Sequence, residues 1–156
     1  MSAPTLFPDD LTLRQAIALH RAALGDGLVV PEEPAVAAMF EAHDACHAIF
    51  DCGTDMPGEV AVDTLTLVAT TMTLPRYLDY MRHPAVVGIF ADMHPLVLLR
   101  DAIAALPRML AAWRRGRQVG RPWDFDRYSD HLDRSLGEIR RSHGIQTGVR
   151  PSDITF

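Results

Sequence analysis

PAVAAMFEAHDACHAIFDCGTDMPGEVAVDTLTLVATT, residues Pro34 to Thr71, reads as two helices joined by a turn too short to hold a further element. Pro34 suits a first helical turn and starts a helix that reaches about Phe50. Thr54 or Asp55 caps the next, from about Pro57 to Thr71, whose interior after Glu59 carries Asp63 as its only charge. Such a helix belongs at the centre of a core. Gly53 and Gly58 suit a tight connection, and Pro57 fixes the entry angle of the second helix.

Working outward, Thr12 and Gln15 form a capping box that opens a helix ending at Gly25-Asp26-Gly27. Leu74-Pro75 starts a short helical piece through Tyr80, and His83-Pro84 breaks it, because a residue before proline is pushed out of the helical region. A long helix follows Pro95 and ends at Gly116, with Pro107 expected to kink it. The stretch RQVGRPW is a loop, and a last helix runs from about Ser129 to His143, with Gly144 as its stop. There is no strand-length run of alternating polarity. The expectation is an all-α, single-domain bundle of about six helices over residues 1–156.

Composition narrows the function by exclusion. A formal charge of -5 gives no global drive toward nucleic acid, which normally shows as a basic domain. The opening MSAPTLFPDDLTLRQ has neither a signal-peptide nor a transit-peptide pattern, so a mature cytoplasmic bacterial protein is expected. The longest apolar stretch, Ala85 to Leu99, is broken by Asp92, His94 and Pro95, short of the ~18 uninterrupted apolar residues of a spanning helix. Cys46 and Cys52 read as buried thiols rather than as a disulfide or ligands.

The helix from Pro34 carries the chemistry. At ~100° per residue, and with Val36 at zero, Phe40, His43, His47 and Phe50 all fall within about 40° of it, so both histidines lie on the apolar stripe. Asp44 sits about 80° to one side. Two imidazoles buried in one stripe each keep a donor and an acceptor that cost roughly 1–3 kcal/mol if left unpaired, and one divalent cation satisfies both acceptors. Glu59, in the first turn of the next helix, completes two histidines and one carboxylate, with Asp44 as a fourth ligand or as the group that orients a histidine. Ligation of this kind with an open position suits Zn²⁺ best, then Fe²⁺ or Mn²⁺, with Mg²⁺ less natural for imidazole. His20, His131 and His143 are expected on surface faces, His83 and His94 as turn residues. His94 with Asp92 is a minor candidate for the site, and Arg108, Arg114, Arg115, Arg117 and Arg121 around Trp113 could meet an anionic group.

The string HDACH, followed by eleven residues and Glu59, resembles HDxxH-x11-E, the hallmark of the ubiquinone biosynthesis family known as coenzyme Q biosynthesis protein 4. GTDMPGEVAV is similar to that family's turn into its next helix, and AWRRG…RYSDHLDRSLGEIRRSHGI to its closing helix with a final Gly-Ile, so roughly Phe40 to Ile145 is covered. Asp51 stands where the family tends to have Gly, and Leu132-Asp133 where it tends to have Trp-Glu, departures expected to bear on the substrate more than on the metal. The resemblance implies an all-α metalloprotein with His43, Asp44, His47 and Glu59 as ligands. It implies a polyprenyl quinone precursor as partner, a peripheral site at the inner face of a bacterial membrane and contact with other quinone-biosynthesis proteins; the apolar faces of the helices add the expectation of a homodimer.

The activity so implied is oxidative decarboxylation at C1 of a prenylated hydroxybenzoate ring, with Asp44 or Asp51 moving the proton. A lipid-binding scaffold without catalysis is the alternative. A metal-dependent hydrolase of the His-Asp type fits less well, because such enzymes need further ligands spread over several helices.

Overall fold

The computed structural model describes residues 5–90 and 94–147. They form seven α-helices and two 3₁₀ turns, α1 Leu13–Leu24, α2 Pro34–Phe50, α3 Met56–Ala69, α4 Leu74–Met81, α5 Pro84–Phe90, α6 Pro95–Gly116 and α7 Leu136–His143, with the 3₁₀ turns at Gly25–Gly27 and Phe125–His131. Among the described residues there is no strand, only the isolated bridges Thr12 to Ser135 and Thr70 to Trp123. The class is all-α as expected, with more helices than six.

Local chemistry accounts for the first three. The Thr12 hydroxyl accepts from the Gln15 N–H while the Gln15 side chain accepts from the Thr12 N–H, so α1 opens on a full capping box. Pro34 heads α2, and the Asp55 carboxylate caps α3 by accepting from the Gly58 N–H at 3.0 Å. Helices α2 and α3 lie at the centre. α1 covers one side and α6 packs along α3, closing a core of Leu13, Ile49, Phe50, Val62, Leu65, Trp123, Leu136 and Ile139.

Two departures have backbone causes. The segment after the His83-Pro84 break is itself helical, as α5. The expected helix from Ser129 is split: a 3₁₀ turn ends at His131, and α7 starts only at Leu136 behind a Ser135 cap that accepts from the Glu138 N–H. Between them the carbonyls of Leu132 and Arg134 accept from Arg14 N–H and Leu13 N–H, two amides of the first turn of α1 that have no partner inside their own helix. The carbonyls are therefore diverted from any continuous helix. α6 runs through Pro107 as one element, and its outer side leaves Leu96, Leu99, Ile103, Leu106 and Trp113 exposed. Among the described residues no helix is long and apolar enough to cross a membrane.

Candidate metal centre

The turn between α2 and α3 is set by contact. A Cβ on Gly58 would stand 2.2 Å from the Gly53 carbonyl oxygen, so only glycine lets the first turn of α3 close onto the loop. That closure brings Glu59 against α2. His43 Nε2 and His47 Nε2 are 3.2 Å apart, and the Glu59 carboxylate lies 3.4 Å from His47 Nε2 and 3.6 Å from His43 Nε2.

These spacings match one cation. At bond lengths of about 2.1 Å and tetrahedral angles, neighbouring donors stand about 3.4 Å apart. Ligand atoms of the three residues all lie within 4.8 Å of one another, so the group can hold a metal ion. The His47 ring is pre-set for it. In the neutral ring Nδ1–H donates to the Cys52 carbonyl at 3.2 Å, which leaves the Nε2 lone pair facing His43 and Glu59; a proton at Nε2 turns that atom into a donor to Glu59 instead.

The end of α2 that carries His47 is clamped from a distance. Arg140 of α7 donates to the carbonyls of Ile49, Ala48 and Phe7 and to Asp9, and Arg115 of α6 donates to the Phe50 carbonyl at 2.6 Å. Carbonyls that a helix end leaves without partners are thus satisfied by two guanidinium groups. The same contact corrects the expected arginine cluster: Arg115 turns inward, while Arg108, Arg114, Arg117 and Arg121 stay exposed, Arg117 over the Trp113 ring at 5.4 Å.

The two aspartates expected to join the site stand outside the group of three donors. Asp44 is buried and accepts from Arg21 Nε at 2.6 Å, with His20 Nε2 at 3.3 Å, so both of its oxygens face α1 and it stands outside the three-residue group. Asp51 occupies a left-handed position (φ 55°) at the end of α2, accepts from the Phe7 N–H at 2.9 Å, lies 3.9 Å from Arg140, and does not line the cavity described below. His20 is one of two histidines that the sequence reading misplaced. It is 2% exposed rather than on the surface, and its ring stacks on His47 with centroids 4.3 Å apart. The spacing of Leu13, Ala16, Ile17 and His20 on the buried face of α1 was the available signal.

His143 is also buried, against the Arg121 carbonyl, and not on a surface face. His83 and His94 act as turn residues, their Nδ1 atoms accepting from Ala85 N–H and Leu96 N–H. Asp92, the expected companion of His94, lies outside the described residues. Cys46 and Cys52 are buried thiols, pushed up by desolvation to about 12 and about 11, and neither belongs to the three-residue group.

Electrostatics follow this geometry. Burial pushes the Glu59 carboxyl up, but hydrogen bonds from His43 and His47 outweigh it and hold it down at about 2. Burial pulls His43 down, yet the Glu59 hydrogen bond and the charges of Asp63, Glu59 and Asp44 leave it raised. In His47 burial prevails and the pKa is lowered. Burial raises Asp63.

The group opens on a cavity of about 510 Å³ whose apolar wall includes Leu24, Leu28, Phe40, Met56, Val60 and Val86. Four carboxylates border it, Asp44, Glu59, Asp63 and Asp101, and among the described residues lining it there is no arginine. No family model and no curated protein matches the chain.

Proposed function

We propose that the chain is a metalloprotein of quinone-precursor biosynthesis, acting in the oxidative decarboxylation of a prenylated hydroxybenzoate. The observation that carries the reading is the set of three donors at 3.2–3.6 Å spacing, the spacing one tetrahedral cation requires, facing an apolar cavity. Of the four carboxylates that border the cavity, Asp44 and Asp101 are paired with Arg21 and Arg100, which leaves Glu59 and Asp63 to disfavour an anionic substrate. A divalent cation held there by His43, His47 and Glu59 would offset that charge. Zinc suits the donor set best, and the bound ion would supply Lewis-acid stabilisation of negative charge on the ring carboxylate.

The remaining work belongs to the protein. The Cys52 carbonyl fixes the His47 tautomer, and the stacked His20 ring fixes its plane. The apolar wall excludes water and takes the isoprenoid chain, in keeping with the HDxxH-x11-E resemblance. Asp44, held low by Arg21 and His20 against the effect of burial, is a poor proton acceptor, and Asp51 does not reach the cavity. Replacing the carboxyl group by a hydroxyl is a two-electron oxidation; with dioxygen as the electron acceptor and water as the oxygen source it releases CO₂ and hydrogen peroxide.

Elemental analysis of the purified protein is the first test, paired with release of labelled CO₂ from a short-chain prenylated 4-hydroxybenzoate. The wild type and Asp51→Gly should carry one equivalent of metal and release CO₂. His47→Ala should do neither. Metal retained at full stoichiometry by His47→Ala would overturn the assignment of the site. Bound metal and bound prenyl compound without CO₂ release would point instead to a lipid-holding scaffold.

A further inference from the structure

We propose, building on the metal reading above, that Asp63 selects the ligand, accepting a hydrogen bond from a hydroxyl or amine carried about one helical turn away from the ligand's metal-bound acid group. The four carboxylates around the cavity are not equivalent. Asp44 is taken by Arg21 at 2.6 Å, Asp101 accepts from Arg100 Nε at 2.8 Å, and Glu59 faces the two histidines. Asp63 makes no ion pair among the described residues, and Tyr77 borders the second cavity with it. A carboxyl group has acceptor sites for several donors in either protonation state, so a donor from Tyr77 would still leave capacity for another.

Position makes that capacity useful. Asp63 follows Glu59 by four residues on α3, about 6 Å along the axis and about 40° around it, so both side chains leave the same face. Asp63 and Val60 also border a second cavity of about 500 Å³, otherwise walled by residues such as Leu67, Val68, Met109 and Leu110. A ligand running from the metal group toward that second space passes Asp63. A ligand without a donor leaves a partly buried acceptor unsatisfied there, whereas one with a donor satisfies it, and this asymmetry makes such a site discriminating.

The test uses the full chain loaded with zinc and four probes, 4-hydroxybenzoate and 4-aminobenzoate with a donor, benzoate and 4-methoxybenzoate without. Calorimetric titration should show the donor-bearing pair binding the wild type ~10-fold or more tightly, as expected for a hydrogen bond to a carboxylate. In Asp63→Leu the ratio should fall below about 3-fold while zinc stoichiometry is unchanged. Equal binding of all four probes by the zinc-loaded wild type, or full discrimination in Asp63→Leu, would overturn the assignment of Asp63 and leave the metal reading standing. A wild type that takes up no zinc would overturn both. Should Asp63→Leu not fold, Tyr77→Phe removes the competing donor and should tighten the donor-bearing probes about 2–3-fold; no change there would count against the proposal.

Discussion

Replacing Glu59 by Gln in the metal-free protein isolates the electrostatics of the site from metal binding. Hydrogen bonds and charge from His43 and His47 bring the Glu59 carboxyl from 4.5 to about 2 against the opposing effect of burial. At roughly 1.4 kcal/mol per pH decade the drop corresponds to about 3 kcal/mol of stability. The Glu59 side chain is 38% exposed, so solvent screening reduces this to about 1–2 kcal/mol. A carboxyl group whose folded pKa is depressed stabilises above its unfolded value near 4.5 and loses that contribution as pH falls toward 2. His43 is raised above 6.5, so its share is complete below 6.5 and is lost as pH climbs through its folded value.

The pair therefore stabilises most between these limits. Urea denaturation near pH 5.5 should find Glu59→Gln less stable by about 1–2 kcal/mol, with the gap narrowing toward pH 3 and again toward pH 8.5. A gap independent of pH, or a variant more stable than the wild type near pH 5.5, would refute the coupling of these side chains.

Gly58→Ala places a Cβ against the Gly53 carbonyl, and should lower stability by about 1–3 kcal/mol while weakening zinc uptake, because Glu59 moves with its turn; differential denaturation and elemental analysis read both. Arg140→Met keeps the bulk of the side chain but removes the donors that hold the Ala48 and Ile49 carbonyls. It should cost about 3–5 kcal/mol in denaturation, and a loss below 1 kcal/mol would show that the clamp on α2 is not energetically important.

What the sequence revealed was what is local. The starts of α1 and α3 follow from side-chain caps and that of α2 from Pro34 in its first turn, and the convergence of His43, His47 and Glu59 follows from i, i+4 spacing on one helix and a short turn to the next. What stayed hidden was non-local. The partners of Asp44 lie 23 and 24 residues away on α1, and Arg140 reaches carbonyls 91 and 92 residues away, distances at which a helical periodicity carries no information. The break before α7 was illegible for the same reason, since the amides that draw off the Leu132 and Arg134 carbonyls belong to α1. His20 is different in kind: its stripe was readable, but a polar residue on it was assigned to solvent, because its partner Asp44 was not yet known to face it.

The positions at which the chain differs from the HDxxH-x11-E pattern it resembles fall away from the cavity. Residue 51 needs a left-handed backbone, the reason glycine suits it, and aspartate is among the few side chains that tolerate that conformation. Its carboxylate then bonds the Phe7 N–H beside Arg140, a structural use of the acid. Asp133 pairs with Arg14 at 3.0 Å on the surface, and Leu132 packs against the core. None of the three borders the cavity. On the proposed reading substrate choice is set by residues that border the cavity, and Asp63, which makes no ion pair among the described residues, is the one to vary first.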